Sequence, residues 1–480
     1  MKTDGVASKR KRKVLKRIII AVPILVVLIT LLAAFELWSS IGKPHFGFSD
    51  ILGEKSVANF DVKGSEEQIG YASDALYLVK MIEQTHPIFV VEGWLSEDYT
   101  DIRNEFLTYT RNRDITRLDF AFAAARYITT LRDGHMNTTL LDRKNMPAIF
   151  GGYLDIHWLL KDGQLFLLDE NEAVTETMVA EIGGVPTIQV LEVVNRYFYM
   201  ENEADQTFRL SRISRFGAVI DKAGGEIIND TVSLTLYENG ITSIVEIPLL
   251  PAEVTKSRFA APNYIIQHEM IGDVFFIDFR SFVDGNHITK TVEAIEQAIE
   301  DGVYKFIIDL RGNGGGDSTV GQRLLEAMGV KVPSYGGVQR ISDMMVANPK
   351  SSHFFRVLNR FGVEYVSLKQ MNVTGENPNN VVVSVLTDSG TYSSATMMGV
   401  WVQDGGFGNI VGSPSSNSPN CFGNITARIV LPYSGFNVII STIQFLRPDT
   451  NADPTTLWPD IPVEPSDALN AALDYLSNFG

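Results

Sequence analysis

Apolar residues recur at helical spacing through residues 65–131, alternate with polar ones in short runs through 148–251, and gather into compact strand-like runs from 271 onward. The first zone reads as about three helices. SEEQIGYASDALYLVKMIEQTHP stops at a proline, SEDYTDIRNEFLTYT opens on a Ser-Glu-Asp start, and TRLDFAFAAARYITTL repeats apolar residues every three or four positions. In the second zone GQLFLLDE, TVSLTLYENG and SIVEIPLL are separated by Gly, Asn and Asp turns, which predicts a small strand-rich domain. AEIGGVPTIQVLEVVNRYF inside it is a turn feeding an amphipathic helix, so one or two helices are expected there. In the third zone the strands DVFFIDF, YKFIIDL, VVVSVLT and GNIVGS alternate with the helices HITKTVEAIEQAIEDG and SSATMMGVWVQDG, with a longer excursion before VVVSVLT. That order predicts an α/β core with a mainly parallel sheet, whose sites collect at the carboxyl ends of its strands.

The segment KFIIDLRGNGGGDS, residues 305–318, is the most telling of these junctions. A buried strand enters a turn holding Gly312, Gly314, Gly315 and Gly316, then a helix expected over 319–328 with Asp317 or Ser318 as its N-cap. Bare N–H groups at such a turn can hold a phosphate or the oxyanion of an acyl-transfer intermediate. A Walker loop would close on Gly-Lys-Ser/Thr, whereas Gly316 is followed by Asp317 and Ser318, and the dinucleotide spacing G-x-G-x-x-G is also missed. The oxyanion is the better occupant.

Charge is unevenly placed. Residues 1–17 carry eight Lys/Arg against Asp4 alone, so the net −16 of the 480 residues becomes −23 for the remainder. A body this acidic repels phosphate, which argues against nucleic-acid partners. The basic block meets residues 18–35, an uncharged apolar run of 18 residues. As a helix it would span roughly 27 Å against a hydrocarbon core of about 30 Å. No small-x-small site follows in Glu36-Leu37-Trp38-Ser39, so a retained signal anchor is expected rather than a cleaved peptide, with the body extracytoplasmic. Pro23 would kink that helix without excluding it. Cys421 is the only cysteine, so no internal disulfide forms and a small buried residue is its ordinary reading.

A second strand-to-helix turn, GTYSSA at 390–395, presents adjacent Ser393 and Ser394. Either could be a helix cap, or a nucleophile if a base lies in reach. Of the seven histidines, His45 falls in a spacer, His86 precedes a proline, His157 lies in a strand-like run and His287 starts a helix. His135 differs, because LRDGH breaks a long helix at Asp133-Gly134 and presents the ring on the loop beyond. HExxH, CxxC and His/Cys clusters are absent, so no metal or other cofactor is implied.

Seven motifs in order, over about residues 65–475, carry a family resemblance. They are LRDGH at the end of a helical region, a small central domain, FIIDLRGNGGG, VLTDSGTYSSA, IVGSPSSNSPNCFG, LPYSGFNVIIST and LWPDIPVEPSDALNAAL. The chain resembles the tail-specific (C-terminal processing) serine peptidases, on their tricorn-core and interphotoreceptor-retinoid-binding-protein-like branch. The resemblance implies a crotonase/ClpP-like core. It places the nucleophile on Ser393, with Ser394 as the fallback, and the oxyanion hole on the N–H groups of Ser394 and Gly315. The tail-processing branch takes its base from a Phe-Gly-Lys, but Phe422-Gly423 is followed here by Asn424, and no lysine lies beyond Lys369. The tricorn-like branch instead uses a histidine from its Asp-Gly-His region, which implies His135. Asp133, Asp460 and Glu464 are the candidates to orient that ring. Thr396 stands where many members carry glutamate. Ile182-Gly183-Gly184-Val185-Pro186 resembles a stretch of the family's PDZ-like module.

The expected organisation is a cytoplasmic basic tail at 1–17, a transmembrane signal anchor at 18–37, a spacer at 38–64, a helical region at 65–145, a β-rich, PDZ-like domain at 146–262 and the α/β peptidase core at 263–480. The expected function is a membrane-anchored extracytoplasmic serine peptidase acting on peptide or protein substrates by a Ser-His mechanism. A peptide- or lipid-binding protein that keeps the fold without catalysis is the rival, motivated by the missing lysine and by Thr396. An esterase on the α/β-hydrolase plan is weaker, since Gly-x-Ser-x-Gly is absent at Ser393.

Overall fold

The structure, a computed structural model, describes residues 41–42, 70–91, 93–112, 114–136, 152–170, 173–250, 264–347, 353–369, 375–424 and 427–479. The expected basic tail, the anchor and all of the spacer but residues 41–42 lie outside them. Among the described residues no helix is long and apolar enough to cross a membrane.

A six-stranded sheet organises the α/β part, in the order Ile461–Pro462, Gly408–Gly412, Val382–Thr387, Lys305–Asp309, Val274–Phe279 and Ile266–Ile271. Every neighbouring pair is parallel except the last, an antiparallel hairpin at the edge. The central strand Lys305–Asp309 is buried throughout because both faces are covered, which is why its sequence runs apolar without alternation. Phe306 and Ile308 face the core under helices Asn286–Glu300, Ser318–Ala327 and Ser394–Gly405, together with Val383, Val385 and Ile410. Ile307, Leu386 and Val411 point the other way, onto Ala468, Ala472 and Leu476 of the final helix Ala468–Ser477. Period-two side-chain alternation thus assigns each residue to one of two cores.

Helices Tyr71–Thr85, Tyr99–Tyr109 and Arg117–Thr129 form the N-terminal layer. The last opens with a reciprocal cap between Thr116 and Asp119. Their apolar faces share one core with the small domain and with the hairpin Ala427–Val430/Asn437–Ile440. The small domain is built on the antiparallel strands Gln164–Leu168, Val174–Ile182, Thr231–Glu238 and Ile241–Leu250. It carries three helices, Thr187–Tyr197, Glu203–Ile213 and Gly217–Lys222, where the sequence predicts one or two.

The excursion before Val382–Thr387 supplies two strands, Gly336–Arg340 and Tyr365–Leu368, to a further antiparallel sheet, in the order Ile41–Gly42, Tyr365–Leu368, Gly336–Arg340, Ile443–Leu446 and Cys421–Gly423. Its inner strand, GGVQR, is polar and glycine-rich, so its apolar content gave no strand signal. Gly337 (φ +130°) is required there, because a Cβ would strike the Gln444 carbonyl. Ile308 is fully buried at the sheet's centre. Ile308→Ala is therefore expected to lower stability by about 2–5 kcal/mol, measured by urea unfolding.

Candidate active site

Two turns meet at the carboxyl end of the parallel sheet. After Lys305–Asp309 the chain turns through Gly312 to Gly316 and enters helix Ser318–Ala327, with Asp317 as the N-cap accepting from Thr319 N–H at 3.0 Å. After Val382–Thr387 it turns through 388–393 into helix Ser394–Gly405. Four hydrogen bonds tie the turns together or brace them. Asp388 Oδ1 accepts from the N–H groups of Gly312 (2.8 Å) and Gly390 (2.9 Å). The Thr391 hydroxyl donates to the Leu310 carbonyl (2.9 Å), and Tyr392 N–H to the Asn313 carbonyl (2.9 Å).

The approach is close enough to dictate a residue. A Cβ on Gly315 (φ +89°) would lie 2.7 Å from Tyr392 O, 2.8 Å from Ser393 Cβ and 2.8 Å from Ser394 N. Ser393 itself has φ 57° and ψ −123°, a conformation that costs a non-glycine residue about 1–3 kcal/mol and persists only when its surroundings impose it. Its N–H is held by Asn417 Oδ1 at 2.9 Å.

This conformation turns the Ser393 hydroxyl toward His135, with Oγ 2.9 Å from Nε2. The histidine reaches it from the helical layer. Helix Arg117–Thr129 ends, the chain turns at Asp133, and a new helical turn begins at Gly134. The Asp133 carboxylate caps that turn, accepting from His135 N–H at 2.8 Å. Its second oxygen lies 3.0 Å from His86 Nε2. His86 Nδ1 accepts from Ile88 N–H at 3.2 Å, so the ring proton sits on Nε2 and is donated to Asp133. Burial alone would push the Asp133 carboxyl up, but the His86 hydrogen bond and the electrostatic pull of the His86 and His135 rings hold it below its usual range. Burial pushes His135 below the ordinary histidine value, against the opposing pull of Asp133. The imidazole is therefore neutral at pH 7 and able to take a proton.

The structure separates the candidates for orienting that ring. Asp133 Oδ1 is 3.8 Å from His135 Nδ1, too far for a hydrogen bond, and acts on the backbone instead. Asp460 accepts from Ile410 N–H and Glu464 is exposed beside the turn Pro465–Asp467, so neither is engaged with His135. The fallback Ser394 is buried, its hydroxyl donated to the Gly316 carbonyl at 2.7 Å. Ser394 N–H, at the first turn of its helix, has no intrahelical acceptor. Gly315 departs from expectation, because its N–H is donated to Asn313 Oδ1 at 2.8 Å. Thr396 is buried and its hydroxyl turns back to the Thr391 carbonyl. Among the described residues no group of three His, Cys, Asp or Glu gathers to hold a metal ion.

A further neighbour carries no mark in the sequence. Glu201, between two small-domain helices, places its carboxylate against the serine turn and the loop at 417–418, accepting from Tyr392 Oη (2.8 Å), Asn417 Nδ2 (2.6 Å) and Ser418 N–H (2.7 Å). Burial, then the charge of Asp205, raises its carboxyl to about 7 despite those hydrogen bonds. No periodicity marks such a residue, and only the tertiary approach of the small domain reveals it.

A serine hydroxyl set against a neutral imidazole above a glycine turn is the arrangement of a serine-type hydrolase. Comparison with known proteins narrows the class: residues 273–463 match the model of Peptidase family S41, which marks the α/β part of the chain as that of a serine-type peptidase. A search of curated proteins gave no match. Among solved structures, mature CPAF is similar at 15% identity and a TM-score of 0.54, over 85% of this chain and 95% of that one. Mature CPAF complexed with lactacystin gives 14% and 0.54, over 85% and 97%. The photosystem II D1 C-terminal processing protease gives 12% and 0.42, over 82% and 93%. The CPAF likeness is one of fold.

Two substitutions test this geometry. Gly315→Ala should abolish turnover, because the added methyl drives the two turns apart; peptide hydrolysis measures it. Asp133→Ala leaves the His86 and His135 N–H donors without their acceptor and should cost about 1–3 kcal/mol per orphaned group, read by thermal unfolding.

Proposed function

We propose that the protein is a membrane-anchored extracytoplasmic peptidase that hydrolyses peptide bonds with Ser393 as nucleophile and His135 as base. The observation that carries this reading is the 2.9 Å approach of Ser393 Oγ to His135 Nε2 from elements 258 residues apart. Ser393 Oγ attacks the scissile carbonyl carbon as its proton passes to Nε2. The C–N bond then breaks, and His135 returns that proton to the leaving amine. Water, deprotonated by the same ring, releases the acyl group from Ser393. Ser394 N–H faces the developing oxyanion, and Gly315 N–H joins it by exchanging Asn313 Oδ1 for the substrate oxygen. Protein or peptide chains are the substrates.

The basic block and the uncharged run at 18–35 support a single-pass anchor with the N-terminus cytoplasmic. The Gly183-Gly184 turn that leads into helix Thr187–Tyr197 supports a PDZ-like reading of the small domain.

One observation favours the rival, a binding protein without catalysis: the Gly315 donor is already taken by Asn313. Turnover decides between them. Ser393→Ala and His135→Ala should each abolish peptide hydrolysis with unchanged circular dichroism, and full activity in either contradicts the mechanism. The depressed His135 value sets the direction of the pH dependence. The base must be unprotonated, so kcat/KM should fall in acid with a midpoint below the ordinary histidine value of about 6.5, in a pH–rate profile.

A further inference from the structure

We infer that Glu201 is a positioning residue for the nucleophile, locking the Ser393 turn through the amide of Asn417. The assignment rests on the Ser393–His135 reading above.

Asn417 holds Ser393 N–H with its side-chain oxygen, at 2.9 Å. An amide side chain can rotate to exchange its oxygen and nitrogen, and the wrong orientation would present an N–H donor to the Ser393 N–H. The Glu201 carboxylate forbids that rotation. Its Oε2 takes both Asn417 Nδ2 at 2.6 Å and Ser418 N–H at 2.7 Å, so this oxygen is an acceptor whether or not Oε1 carries a proton. The Asn417 oxygen is thereby committed to Ser393. The other oxygen, Oε1, takes the hydroxyl of Tyr392, the residue before the nucleophile, at 2.8 Å. One carboxylate thus fixes the strained serine from its own turn and from the loop that bonds its backbone.

Glu201 also meets the loop that carries the base. A Cβ on Gly134 would overlap the Glu201 carboxylate and the Tyr392 hydroxyl, so the loop carrying His135 passes directly over this pair.

The carboxylate is itself held. Glu201 N–H donates to Asp205 Oδ2 at 3.0 Å, and Asp205 is paired with Arg209 at 2.6 Å. Arg209 lies over the Tyr392 ring, 5.8 Å from its centroid. Asn202 Nδ2 donates to the carbonyls of Ser415 (3.0 Å) and Thr455 (3.1 Å), and Ser418 Oγ to the Glu201 carbonyl (3.2 Å). The segment around Glu201 is anchored to the α/β core on both sides of its carboxylate.

The test compares Glu201→Ala and Glu201→Gln with the parent, using labelled casein and, separately, the rate of fluorophosphonate capture. Thermal melting of each variant sets a temperature at which all are folded. Removing the carboxylate should lower kcat and the capture rate about 100-fold with KM within about twofold, the scale of an ångström-sized misplacement. Glutamine can still accept from Asn417 and Ser418 through its oxygen and donate to Tyr392 Oη, so it should recover kcat to within about fivefold of the parent. A Glu201→Ala kcat within about threefold of the parent overturns the assignment, as does a loss confined to KM. A loss that follows melting and that glutamine does not repair makes the residue structural and overturns it too. A parent that neither hydrolyses casein nor captures the probe fails the underlying reading, and the assignment falls with it. An active, Ser393-dependent parent with an equally active Glu201→Ala variant sinks the assignment alone.

Discussion

Two turns occupy nearly the same space at the end of a parallel sheet, and they can do so only because one of them lacks a side chain. Gly315 lies where a methyl group would strike Tyr392, Ser393 and Ser394, and the resulting contact holds Ser393 in a backbone conformation that serine otherwise avoids. The sheet fixes where the turns begin, since strands Lys305–Asp309 and Val382–Thr387 are hydrogen-bonded neighbours in parallel register. The two flanking cores fix the sheet. From that constraint follow the direction of the Ser393 hydroxyl and its distance from the imidazole supplied by the helical layer.

The imidazole is governed by a separate chain of buried polar groups. Ile88 N–H fixes the tautomer of His86, His86 donates to Asp133, and Asp133 caps the turn that presents His135. Such networks are stabilising only when each member is satisfied. The proline after His86, which looks in sequence like a plain helix terminator, starts the short helix whose Ile88 amide sets this order.

Much of the fold was legible because it rests on periodicity. The buried run at Lys305–Asp309, the helix breaks and the β-α-β alternation are local signals, and the glycine cluster marked a place where backbone had to approach backbone. The antiparallel sheet through Gly336–Arg340 was not legible, since its polar, glycine-rich strand derives its stability from neighbours distant in sequence. In the site, Ser393 and His135 could be named from motif order. The choice among Asp133, Asp460 and Glu464 could not, because it depends on which carboxylate the fold brings near. Asn313, Asn417 and Glu201 were silent for the same reason. Each is an ordinary polar residue whose role arises only from its partners in space.

The most direct measurement is mass-spectrometric mapping of a fluorophosphonate adduct on the full chain and on its His135→Ala variant. The account predicts an adduct on Ser393 in the parent that disappears or slows by orders of magnitude when the imidazole is removed. An adduct on Ser394, or one on Ser393 that forms equally fast without His135, would contradict it.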